Sequence, residues 1–156
     1  MSDCVLCRGA KADADLMRTE IWSDELWRVT TATESEVAGF SYLEPRRHIR
    51  YVTELDGEEA ATFGPVLARV SAAIKEAARA DVVYLYVFGD GVPHLHVHLA
   101  PHVEGDPLCD AIITGPVTSV QRPDGVTVFT SLDHPPRPPE EIAEVTARLR
   151  AALAAG

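Results

Sequence analysis

The apolar positions of the chain fall into alternating runs and two helical stripes. Trp27 to Thr31 alternates as a strand does, and Phe40 to Leu43 forms a second strand that Glu44-Pro45 stops. Asp56-Gly57-Glu58-Glu59 then opens a long helix, with Asp56 placed to cap free N–H groups and Glu59 to reach back as in a capping box. Phe63, Val66, Leu67, Val70 and Ile74 recur at helical spacing, which predicts a helix to about Arg79. Val82 to Phe88 is rich in β-branched and aromatic residues and predicts a buried strand. Gly89-Asp90-Gly91 supplies a turn, and Leu95 to Ala100 is the next strand, stopped by Pro101. That pair stands in hairpin relation, which favours an antiparallel sheet.

Residues 107–134 carry no decisive pattern beyond a short strand at Val126–Phe129. The stretch Pro135-Pro136-Arg137-Pro138-Pro139 breaks the chain before a last helix, Glu140–Leu153, with Ile142, Val145, Leu149 and Leu153 on one face. The predicted class is α+β: an antiparallel sheet of about five strands, one long central helix and a C-terminal helix. With 156 residues and no internal repeat, a single domain is expected over 1–156.

Charge narrows the function. A formal net charge of −10 argues against a sequence-independent grip on long nucleic acid, which needs a basic surface, yet leaves room for a small phosphate ligand. No apolar run approaches the ~20 residues that span a bilayer. Met1 to Glu20 has no apolar secretory core, so a cytoplasmic location is expected. Three cysteines make an odd count, unlike a disulfide framework. Cys4-x-x-Cys7 reads as a metal half-site or a redox pair, and Cys109 as a bystander thiol.

Histidine is where the chemistry concentrates. Four of the six lie in His94-Leu95-His96-Val97-His98-Leu99-Ala100-Pro101-His102. On a strand, His94, His96 and His98 share one face, roughly 6.5–7 Å apart, and Leu95, Val97 and Leu99 share the other. Three readings are open: a polar sheet face, a zinc site with alternate histidines as ligands, or nucleophilic catalysis at phosphorus. His48 follows Arg46-Arg47 and reads either as a surface residue or as a ligand; His134 beside the Pro-rich stretch is incidental.

Residues 94–100 resemble the hallmark of the histidine triad family, His-φ-His-φ-His-φ-φ with φ apolar. The likeness extends to Leu43-Glu44-Pro45-Arg46-Arg47-His48-Ile49, and in all covers residues 4 to about 102. It implies a motif-bearing core over 1–105, with 106–156 as a family-variable part. It further implies a nucleotidyl hydrolase or transferase in which His96 attacks a nucleotide α-phosphate and forms a nucleotidyl-histidine, while His98 donates to phosphate or helps the leaving group. A nucleoside phosphoramidate, a dinucleoside polyphosphate or a nucleotide sugar would be the substrate. Gly89 and Gly91 offer backbone N–H donors to phosphate, and His102 is a further phosphate candidate. A zinc-bearing branch related to galactose-1-phosphate uridylyltransferase is similar at Cys4, Cys7, His48 and His94, implying one structural zinc on two thiolates and two imidazoles. The resemblance also implies a homodimer whose sheets meet edge to edge. Two alternatives stand beside it: a non-catalytic nucleotide-binding or regulatory module, and a zinc-dependent hydrolase using His94, His96 and His98 as ligands. Glu34 or Glu36 is the candidate ribose acid, while Trp22, Trp27 and Tyr42 read as core or as base contacts.

Overall fold

The structure is a computed structural model that describes residues 4–89, 91–106, 117–121, 123, 125, 127–131 and 135–155. Cys109, His134 and Asp90 lie outside them. After a short 3-10 turn at Leu6–Arg8 and the helix α1, Ala10–Asp13, the strands are β1 Arg18–Ser23, β2 Trp27–Ala32 and β3 Ser41–Pro45. The helix α2, Gly57–Ala78, leads to β4 Val82–Tyr86 and β5 Val97–His102; β6 Val117–Gln121 and β7 Thr127–Ser131 precede α3, Pro139–Ala154. The α+β class is as expected. Five strands form one antiparallel sheet in the order β1-β2-β3-β5-β4.

Alternation decides what each face carries. Trp27, Val29, Leu43, Val97 and Leu99 point to one side and meet Val70, Ile74 and Ala77 of α2 with Leu149 and Leu153 of α3. The opposite face holds Arg28, Thr30, Tyr42, Glu44 and His98. The two helices are locked at their C-terminal carbonyls, where partial negative charge gathers. Arg148 Nε donates to Ala77 O at 2.7 Å and Arg69 Nη2 to Leu153 O at 2.6 Å. Arg79 closes α2 in the left-handed region at φ 55, donating to Glu76 O while Ala80 N–H bonds Lys75 O.

Three expectations need correction. The fifth strand of the sheet is β1; of the expected Val126–Phe129 strand, Val126 lies outside the described residues and Thr127–Phe129 fall in β7, paired with β6 in a separate two-stranded sheet. β4 is an edge strand, with Val82 and Leu85 41% and 46% exposed, because nothing among the described residues pairs its outer side. The expected capping box is not made: Asp56 is the N-cap residue of α2 without a side-chain cap bond. Its carboxylate and that of Glu59 both bond the Arg47 guanidinium, and Glu59 is buried.

Candidate active site

His94 and His96 precede β5, whose first residue is Val97, so the three alternate histidines do not share one strand face. The backbone between them is fixed by Leu95 N–H bonding Ile49 O at 2.7 Å. His94 is 2% exposed and turns away toward the N-terminal segment. Its Nε2 lies 2.9 Å from Pro45 O; a carbonyl only accepts, so this nitrogen carries the proton and Nδ1 keeps its lone pair. Nδ1 faces Cys4 Sγ at 3.5 Å and Cys7 Sγ at 3.4 Å, and His48 Nδ1 lies 3.2 Å from Cys7 Sγ.

These four ligand atoms all lie within 4.8 Å of one another. A tetrahedral zinc with ordinary bond lengths spaces its ligands by roughly 3.3–3.8 Å, so the set fits one zinc ion. The donor chemistry agrees: two soft sulfurs, two imidazoles, and a carbonyl behind His94 that sets its tautomer. Burial pushes the His94 pKa down, which keeps the ring in its ligating neutral form, and pushes the Cys4 thiol up, so that metal uptake displaces a proton. Among the described residues, His94, His96 and His98 do not form such a ligand set.

His96 and His98 stay on the outer face, ring centroids 5.0 Å apart. His96 Nδ1 lies 2.6 Å from the carbonyl of His94, so it donates there and leaves Nε2 unprotonated. His98 Nδ1 lies 3.3 Å from Tyr86 O and is likewise the donor, so its Nε2 accepts. The His98 ring stacks on Tyr86 at 4.8 Å, with Tyr42, Phe88 and Phe40 also around it. Desolvation by this enclosure, with the neighbouring His96 ring second, pushes the His98 pKa down to about 4.

That shift predicts a pH dependence of folding. The folded His98 binds fewer protons than the unfolded one between about pH 4 and its ordinary 6.5. Its contribution to stability is therefore complete above pH 6.5 and lost as the pH falls through that window. On going from pH 7 to pH 4.5, wild type should lose about 2 kcal/mol more than His98→Asn, which has no ring to titrate. Urea unfolding of both proteins at the two pH values measures this; equal losses would contradict the burial of His98.

The other expected residues scatter. His102 is four residues along β5, roughly 13 Å from His98, and its Nδ1 lies 2.7 Å from Asp106 Oδ1, so it is not brought to the paired imidazoles. Gly89 is buried at φ 71 beside the Tyr51 ring, and Gly91 is exposed. Trp27 is core, its Nε1 donating to Thr62, and Trp22 packs against the core under Arg69. Tyr42 alone of the three aromatic candidates lies beside a triad ring. Glu34 is exposed and Glu36 half-buried in the β2–β3 loop. The sequence reading missed the aromatic enclosure; its signal was the alternation of Phe40, Tyr42 and of Tyr84, Tyr86, Phe88 on the face of His98. It also missed a buried ion cluster, Asp13–Arg18–Arg28–Glu44.

A five-stranded antiparallel sheet with two outward-facing imidazoles beside a Cys2His2 cluster defines the class as an α+β protein with a histidine-lined face. The chain belongs to the HIT domain family, which matches residues 16–105. Membership indicates nucleotide binding, or nucleotidyl hydrolase or transferase activity, in general terms. Solved structures agree in fold. A hypothetical histidine triad nucleotide-binding protein from Sulfolobus tokodaii is 22% identical with a TM-score of 0.66, over 97% of this chain and 93% of that one. A zinc-bound histidine triad family protein from Mycobacterium smegmatis is 24% identical with a TM-score of 0.64, over 97% and 94%. A histidine triad protein from Bradyrhizobium japonicum is 23% identical with a TM-score of 0.66, over 90% and 93%. No curated relative matches the chain.

Proposed function

We propose that the protein is a nucleotidyl hydrolase or transferase that works through a covalent intermediate on His96. The observation that carries this reading is the free Nε2 of His96, held out by the Nδ1–H bond to the His94 carbonyl. The lone pair on Nε2 attacks the α-phosphorus, the bond to the leaving group breaks, and the nucleotidyl group rests on nitrogen. The ring becomes cationic at that moment, and its Nδ1–H bond to the carbonyl strengthens. Water or another hydroxyl then attacks the same phosphorus and returns the pair to Nε2. Nε2 of His98 accepts the proton of that hydroxyl; the bound phosphate anion raises its affinity for a proton above that of the free site. Backbone N–H groups at Gly89 and Gly91 are the proposed phosphate donors.

Cys4, Cys7, His48 and His94 are proposed to hold one structural zinc, which ties the N-terminal segment to the sheet beside the nucleophile. This closed donor set is similar to that of the zinc-bearing branch related to galactose-1-phosphate uridylyltransferase, and the zinc-bound Mycobacterium smegmatis protein supports it. Reduced thiolates as ligands suit a cytoplasmic location. The exposed edge of β4, with Val82 and Leu85, is proposed to pair with a second copy. Leu85→Glu should then shift the sedimenting mass from two chains to one; a wild type that sediments as a single chain would refute the pairing.

Quenching turnover in acid-free denaturant and weighing the intact protein tests the covalent reading. With a panel of nucleoside phosphoramidates, dinucleoside polyphosphates and nucleotide sugars, one member should add a nucleotidyl mass that maps to His96. Turnover without any such adduct under rapid quench would sink it.

A further inference from the structure

Four charged side chains that play no part in the proposed chemistry are buried together on the outer face of the sheet. Asp13, the last residue of α1, accepts from Arg18 Nε at 3.0 Å and from Arg28 Nη2 at 2.5 Å. Glu44 on β3 accepts from Arg18 Nη1, and from Arg18 Nη2 at 3.4 Å, while its Oε2 lies 3.8 Å from Arg28 Nη1. All four residues are 6% exposed or less.

Stability is a poor reason for such a cluster. Buried ion groups rarely hold a fold better than apolar side chains of similar volume, because desolvation offsets their attraction. This one even leaves Arg28 Nη1 without a hydrogen-bond partner. Position is the better reason. Asp13 ends the helix that follows the Cys4-x-x-Cys7 turn, with only Gly9 between the two elements. Glu44 directly precedes Pro45, whose carbonyl holds His94 Nε2–H. The β3–β5 ladder runs through Tyr42–His98 and ends at Leu43–Val97, and Glu44 and His96 are the next residues beyond that last pair. The cluster therefore joins the segment that carries the two thiols to the strand that orients both histidines.

We propose that Asp13–Arg18–Arg28–Glu44 is a second latch on the zinc-binding segment, with Asp13 and Glu44 as positioning residues. The latch holds Cys4 and Cys7 against His94 and, through the His94 carbonyl, holds the His96 ring. It rests on the zinc and nucleophile reading above, and deepens it.

Zinc affinity of the full chain, measured by competition with a chromophoric chelator, reads the latch without reference to turnover. Asp13→Asn and Glu44→Gln leave every ligand in place, so both should still take one zinc, bound roughly 10- to 100-fold more weakly. The surface variant Glu144→Gln should bind zinc as wild type does. Coupling is reciprocal, so removing zinc from wild type should speed amide exchange over residues 9–18. In the variants kcat should fall while KM holds. If Glu44→Gln does not fold, Asp13→Asn on the peripheral α1 decides alone. Zinc affinity within twofold of wild type in a variant that melts cooperatively overturns the latch, as does amide exchange that ignores zinc. A wild type that takes up no zinc overturns the zinc site as well, which separates the two failures.

Discussion

His96→Asn should abolish nucleotidyl transfer, with kcat falling by roughly 10⁴- to 10⁶-fold, the range seen when a sole nucleophile is removed. Asparagine keeps a polar side chain of similar reach and can still donate to the His94 carbonyl, but it has no lone pair with which to attack phosphorus. The fold should be unaffected, because His96 is half-buried and the ring contact it makes is with His98 on the outer face of the sheet. Nucleotide binding should survive, so isothermal titration with a non-reactive analogue would show an affinity near wild type. The pattern distinguishes three readings. Loss of turnover with retained binding supports covalent catalysis. Turnover equal to wild type would leave the protein a nucleotide-binding module, or place the chemistry elsewhere. Loss of zinc together with turnover would put His96 among the metal ligands, against its observed bond to a carbonyl.

How much of this was legible beforehand differs from residue to residue. That His96 and His98 share a face could be read from spacing, because two residues per strand repeat bring alternate side chains to one face over a short distance, while their roles came from the resemblance. His94 obeys the same spacing and breaks the rule, since regular strand geometry begins only at Val97 and the Pro45 carbonyl draws its ring aside. Cys4, Cys7 and His48 meet it across more than 40 residues of chain, and no local pattern encodes such a meeting; the resemblance supplied it. β1 escaped because Arg18-Thr19-Glu20-Ile21-Trp22-Ser23 alternates imperfectly. A bulge between Glu20 and Trp22 shifts the register, and the polar face of the strand is covered by the ion cluster rather than by water. β4 was misjudged as buried because a run of Val, Tyr and Leu suits a core strand and an edge that awaits a partner equally well.

Zinc removal should produce the largest change in stability. The 3-10 turn at Leu6–Arg8 is too short to hold itself, and α1 is a single turn of helix, so the N-terminal segment depends on what its side chains grip. A metal saturated a thousandfold above its Kd contributes about 4 kcal/mol to the folded state. Over a chain of this length that corresponds to a fall in Tm of about 10 °C. Cys4→Ser and Cys7→Ser should each lose the zinc and show the same fall as chelated wild type, because the proposed site places all four ligands on one ion. Zinc lost from one variant and kept by the other would break the shared site. Timing then separates structure from catalysis. A catalytic zinc needs an open coordination position, and stripping it stops turnover at once. Two thiolates and two imidazoles fill the tetrahedron. Chelation at a temperature well below the lowered Tm should therefore leave most of the initial rate intact, with activity decaying only as the N-terminal segment comes loose and the His94 carbonyl no longer steadies the His96 ring.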